Sequence, residues 1–140
     1  MVIDAHQHFW RFNPVRDAWI TGEMAAIRRN FLPGDLALEL DAAGVDATIA
    51  VQADQSETET EFLLGLAEGN ARIAGVVGWL DLRSPEVEKR LEHFSKFKKL
   101  RGVRHVAQTE PDDRFLVRDD FLRGVGLLAA QCWNWESCHA

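Results

Sequence analysis

Val2-Ile3-Asp4-Ala5-His6-Gln7-His8-Phe9-Trp10 is the stretch on which the fold turns. A short apolar run closing in His-x-His reads as a β-strand. Side chains alternate faces along a strand, so Asp4, His6 and His8 are expected on one side, with both imidazoles at its C-terminal end. Neutral imidazole is a common ligand for zinc and also a general acid or base near neutral pH. The pair therefore reads as a reaction site, against the plainer alternative of two hydrogen-bonded core histidines. No glycine occurs before Gly22, so this first strand lacks the glycine-rich turn of a dinucleotide-binding sheet.

Working outward, Arg11 to Asn30 reads as a long loop, of the kind that carries function or forms a lid. Pro33-Gly34-Asp35 opens a helix with Leu36, Leu40 and Ala43 on its buried face and Gly44 as its C-terminal cap. Ala47 to Ala53 is almost wholly apolar, as a strand covered on both faces would be. Ser56-Glu57-Thr58-Glu59 has the Ser-x-x-Glu form of a capping box and starts a helix to about Gly69, with Phe62, Leu63 and Leu66 facing inward. A third strand spans Ile73 to Leu80. Ser84-Pro85 then begins a helix with Val87, Leu91 and Phe94 at i, i+4 and i+7, and His93 on its flank. Leu100 to Val106 is a fourth strand, followed by a polar loop and a helix over Asp119 to Ala130.

Strand and helix thus alternate four times, which predicts an α/β fold with a parallel sheet covered by helices. An open doubly wound sheet and a (β/α)8 barrel both satisfy that order. The missing glycine-rich turn favours the TIM-barrel type, of which four βα units make half. In either architecture the site lies at the C-terminal ends of the strands. The polar residues expected there are His6, His8, Gln52, Asp81, Arg104, His105 and Gln108. Singly, each has a structural explanation. As a set they form a pocket with metal or proton-transfer capacity and a cation for an anionic substrate.

The 140 residues are 46% hydrophobic, suited to one globular unit, and no apolar run approaches the length of a bilayer span. The net charge of -6, from 22 acidic and 16 basic residues, argues against nucleic acid. Neither a secretory signal nor a membrane segment is legible, so the cytoplasm is the expected location. Cys132, Cys138 and His139 fit no common zinc spacing, and a disulfide between the cysteines is not expected. Residues 132–140 lack strand or helix period, and the expectation is of a tail unrelated to the body at 1–131, as a frameshift would produce.

Ile3-Asp4-Ala5-His6-Gln7-His8-Phe9-Trp10, Val51-Gln52-Ala53 and Lys99-Leu100-Arg101-Gly102-Val103-Arg104-His105 resemble successive landmarks of the amidohydrolase-related family. Its members include sugar lactonases of the L-fuconolactonase kind and 2-pyrone-4,6-dicarboxylate lactonase. The resemblance implies a (β/α)8 barrel that hydrolyses a cyclic ester, with a lactone as its small-molecule partner. It implies that His6 and His8 are the first-strand pair that holds a metal or polarises the carbonyl. It implies Arg104 as a substrate contact, beside Gln52 and His105 on the same rim, and a divalent cofactor, zinc foremost. Family members continue through four further units that bring another histidine and a late aspartate. A half-barrel alone is therefore expected to lack activity and to expose sheet edges through which it could self-associate. A metal-dependent decarboxylase of the same superfamily and a non-catalytic half-barrel are the rival expectations.

Overall fold

The computed structural model describes residues 1–130, so the expectation for 132–140 lies outside the described residues. Four strands, β1 (Ile3–Gln7), β2 (Ala47–Val51), β3 (Ile73–Gly78) and β4 (Leu100–Val103), form one parallel sheet in the order β1-β2-β3-β4. Helices α1 (Pro33–Ala43), α2 (Glu57–Glu68), α3 (Val87–Phe94) and α4 (Asp119–Ala130) follow the strands in turn. This is the βα repeat of a (β/α)8 barrel, represented by four units. Among the described residues, no helix is long and apolar enough to cross a membrane.

The two faces of the sheet differ. Ala50 and its neighbour Val76 are fully buried in the core with Leu63, Leu64, Leu91 and Phe94 from α2 and α3. The adjacent pair Val51 and Val77 alternates to the other face, where Val77 is only half-buried. On that second face Gly75 is required by crowding: a Cβ there would lie 2.5 Å from Cγ of Arg101 and 3.2 Å from Cδ1 of Ile49. At Gly78 an added Cβ would meet the Thr60 side chain at 2.5 Å, which is how α2 seats against the end of β3.

Helix α3 buries Val87, Leu91 and Phe94 completely, as its periodicity predicts, while His93 is exposed. Each such side chain contributes about 1.5–3 kcal/mol of hydrophobic stabilisation. Gly44 has φ 65°, the left-handed cap expected after α1.

Other expectations shift. Ala43 is exposed, and of the predicted α1 stripe Leu40 alone is fully buried. Helix α2 buries Thr60, Leu63, Leu64 and Ala67, leaving Phe62 and Leu66 at the margin, because its contact with Gly78 through Thr60 sets the rotation. Ser84 and Pro85 make a turn before α3: the Ser84 hydroxyl accepts from the Glu86 amide at 3.1 Å and the Ser84 carbonyl from Val87 at 3.2 Å. The long loop is closed at its base by an antiparallel bridge between Trp10 and Phe31, two backbone bonds of 3.0 Å each. Inside it, Asn13 and Asp17 form a side-chain-capped turn.

Candidate active site

β1 stops at Gln7, one residue short of the predicted end, and its register against β2 is irregular between Asp4 and Gln7. The two imidazoles nevertheless meet, with Nε2 atoms 3.2 Å apart and ring planes at 72°. His6 is exposed and His8 half-buried. Nδ1 of His8 lies 2.8 Å from the carbonyl oxygen of Val51, at the end of β2. A carbonyl can only accept, so Nδ1 carries the proton and Nε2 presents a lone pair toward His6. Burial pushes the His8 imidazole below its ordinary value, and the positive fields of His6 and Arg104 act the same way, against the Val51 hydrogen bond. The ring is thereby held neutral near pH 7.

The next carbonyl along the chain, one residue past β2, holds the second group. Arg104 donates from a guanidinium nitrogen to the Gln52 carbonyl at 3.1 Å, and its amide donates to Gly78 at 2.9 Å, one residue past the end of β4. The Gln52 amide group donates back to the Arg104 carbonyl at 3.3 Å. His8 and Arg104 are thus docked on successive peptide groups, Val51 and Gln52, at the C-terminal end of the sheet.

Gln52 is completely enclosed, and its Oε1 has no hydrogen-bond partner among the described residues. Its visible contact is with the Arg104 backbone. His105 has both nitrogens engaged: the indole N–H of Trp79 donates to Nδ1 at 3.2 Å, and Nε2 donates to Glu110 at 2.7 Å. Its ring stacks on Phe115 with centroids 4.5 Å apart. The two nitrogens of this imidazole are therefore spent within the chain. Asp81 caps its own turn through the amide and guanidinium of Arg83, and Gln108 is exposed. His6, His8 and Arg104 are the predicted residues gathered at the C-terminal end of the sheet, where the charge of Arg104 is felt at the His8 ring.

Sequence reasoning missed the Trp79–His105–Glu110 chain, whose members are separated by a strand end and a loop. It also missed where the carboxylate of Glu59 goes. Ser56 caps α2 as expected, accepting from the Glu59 amide at 3.2 Å, but Glu59 accepts from the Ala53 and Asp54 amides at 2.6 and 3.0 Å.

The His6–His8 geometry suits a metal. Two nitrogens bound to one tetrahedral zinc at about 2.0–2.1 Å stand about 3.3–3.4 Å apart, close to the separation of 3.2 Å between these rings. The Val51 hydrogen bond also fixes the His8 tautomer that a ligand needs. Among the described residues, no group of three or more His, Cys, Asp or Glu side chains could hold an ion, so the pair offers part of a ligand set.

The chain is similar to known proteins along most of its length. The chain is 47% identical over 135 residues to L-fucono-1,5-lactonase from Burkholderia multivorans, covering 96% of this chain and 45% of that protein. It is 36% identical over 114 residues to L-fucono-1,5-lactonase from Burkholderia ambifaria, covering 81% of this chain and 39% of that one. A solved amidohydrolase from Burkholderia multivorans with bound zinc superposes with a TM-score of 0.88 at 45% identity, over 93% of this chain and 46% of the other. The chain thus spans less than half the length of these relatives. The amidohydrolase family model matches residues 3–140, and the chain belongs to the amidohydrolase family.

Proposed function

We propose that this chain provides the first half of the active site of a lactone hydrolase acting on a sugar-acid lactone. The observation that carries the proposal is the pairing of His6 and His8 at 3.2 Å, with His8 and Arg104 docked on the successive carbonyls of Val51 and Gln52 at the end of β2. The two relatives named L-fucono-1,5-lactonase support this substrate class. In the reaction, water adds to the ring carbonyl, the bond from carbonyl carbon to ring oxygen breaks, and the ring oxygen takes a proton to give the hydroxy acid.

A divalent ion, when bound by His6 and His8, supplies a Lewis acid for the carbonyl oxygen. His8 contributes a neutral imidazole whose lone pair is aimed by the Val51 carbonyl. Where no ion is bound, His6 donates its Nε2 proton toward His8, and that donor can turn to a developing oxyanion. Arg104 keeps guanidinium donors beyond the one given to Gln52, and these orient the substrate's oxygens. A carboxylate to accept the proton of water belongs, on this proposal, to the remaining units of the barrel. The 140 residues alone are expected to turn over at least about 10³-fold more slowly than a complete barrel, because such groups act as a unit.

The test joins this chain to the C-terminal units of the 47%-identical relative and supplies L-fucono-1,5-lactone and a set of aromatic carboxylic acids. Lactone opening releases a proton and no carbon dioxide, and a pH indicator reads it. Carbon dioxide from an aromatic acid, with no proton release from the lactone, would assign the site to decarboxylation instead.

A further inference from the structure

Glu59 is a carboxylate only 6% exposed, yet it does not complete the capping box that its place in Ser56-x-x-Glu59 suggests. Capping α2 needs only the Ser56 hydroxyl, which already accepts from the Glu59 amide. The Glu59 carboxylate turns the other way and takes the amides of Ala53 and Asp54, the two residues that follow Gln52. Burial raises its pKa above the ordinary value, against the pull of those two amides, so its charged form is held in place at a cost. A cap does not require that cost.

The peptide groups immediately upstream are those that dock the candidate site. The Val51 carbonyl orients His8 at 2.8 Å, and the Gln52 carbonyl holds Arg104 at 3.1 Å. β2 ends at Val51, so strand pairing no longer restrains the chain at Ala53 and Asp54. The Glu59 carboxylate supplies two hydrogen bonds there. On the far side, the segment after β4 is tied to the same loop through the Val106 amide and Gln55 Oε1 at 2.7 Å.

We propose that Glu59 is a positioning residue: by clamping the Ala53 and Asp54 amides it holds the Val51 and Gln52 carbonyls where they aim His8 and Arg104. The proposal rests on the assignment of His8 and Arg104 to the active site. It concerns the orientation of a ring, so it is testable without turnover.

The test uses the 15N-labelled 140-residue chain and long-range proton–nitrogen spectra of the histidine rings. In the parent chain His8 is expected to show a protonated Nδ1 and a lone-pair Nε2. In Glu59→Gln one amide loses its acceptor and faces an NH2 group. The two His8 nitrogen shifts should then move toward each other as the tautomers interconvert. Thr60→Val is the control, since Thr60 bonds the Trp79 amide and carbonyl at the end of β3. It should lower stability and leave the His8 shifts in place. Unchanged His8 shifts in Glu59→Gln, or equal movement in both variants, would overturn the proposal.

Should Glu59→Gln not fold, hydrogen exchange in the parent chain decides the matter. The Ala53 and Asp54 amides should exchange at least about 10-fold more slowly than exposed loop amides, and exchange at the exposed-loop rate would overturn the clamp. Loss of lactone turnover in the complete barrel with these signatures intact would count against the proposed function and not against Glu59.

Discussion

Nε2 of His6 and Nε2 of His8 stand 3.2 Å apart, and the second of these rings is locked by a hydrogen bond from its Nδ1 to the Val51 carbonyl. A bare hydrogen bond between the rings needs His6 as donor, because His8 has placed its single proton on Val51. Binding one metal ion requires His6 to present a lone pair too, which moves its proton to Nδ1. The same two rings can therefore serve as a donor–acceptor pair or as two ligands, and the shared feature is the tautomer of His8.

Zinc added to the 140-residue chain is expected to perturb the ring signals of His6 and His8 together. Calorimetry should show the His6→Ala, His8→Ala double variant binding at least about 10-fold more weakly. Equal affinity in the two proteins would remove the ligand role and leave proton transfer or substrate contact for the pair.

Arg104→Lys keeps the charge but loses the planar fork that reaches the Gln52 carbonyl while offering further donors. In a complete barrel this variant should lower kcat/KM for the lactone by about 10-fold or more, corresponding to about 1.4 kcal/mol of lost transition-state binding. A lysine variant with parent kinetics would show that only charge is used there.

Two glycines of α4 should respond oppositely to alanine. A Cβ at Gly124 would collide with the backbone oxygen of Leu82, so Gly124→Ala forces α4 away from the segment between β3 and α3 and should cost about 1–3 kcal/mol or more. Nothing lies within 4 Å of a Cβ at Gly126, and Gly126→Ala should stabilise by about 0.5–1 kcal/mol. Urea unfolding of the two variants measures both.

Much of this architecture was legible because it depends on local pattern. Helix α4 runs from Asp119 to Ala130 as read, and Val87, Leu91 and Phe94 fill the core at their helical spacing. The His6–His8 contact followed from strand alternation even though the strand ends early. Features set by tertiary contact were not legible. The rotation of α2 depends on Thr60 finding Gly78, and His105 is committed by Trp79 and Glu110, neither of which its own neighbourhood announces. Ser56-x-x-Glu59 satisfies a motif whose second arm went to a different pair of amides.

Asp120 should titrate far from its ordinary value. Its hydrogen bonds from Arg118, at 2.8 and 3.0 Å, hold the carboxyl at about 2, against 3.8 for an unperturbed aspartate. The folded state thus favours the ionised form. The stabilisation is complete above pH 3.8 and is lost as the pH falls through about 2. Carboxyl NMR of the folded chain should place the midpoint near 2, and Asp120→Asn should flatten the loss of stability across that interval. A midpoint near 3.8 would mean the ion pair is not maintained in solution.

The assignment of His6 and His8 as the reaction centre of a lactone hydrolase is a proposal about catalysis. It is tested most directly by the initial rate of L-fucono-1,5-lactone opening in the complete barrel, with and without the two rings. Measurable turnover is expected in the parent, with a fall of about 10²-fold or more in each of His6→Ala and His8→Ala at unchanged stability. Lactone opening at the parent rate in both alanine variants would contradict it.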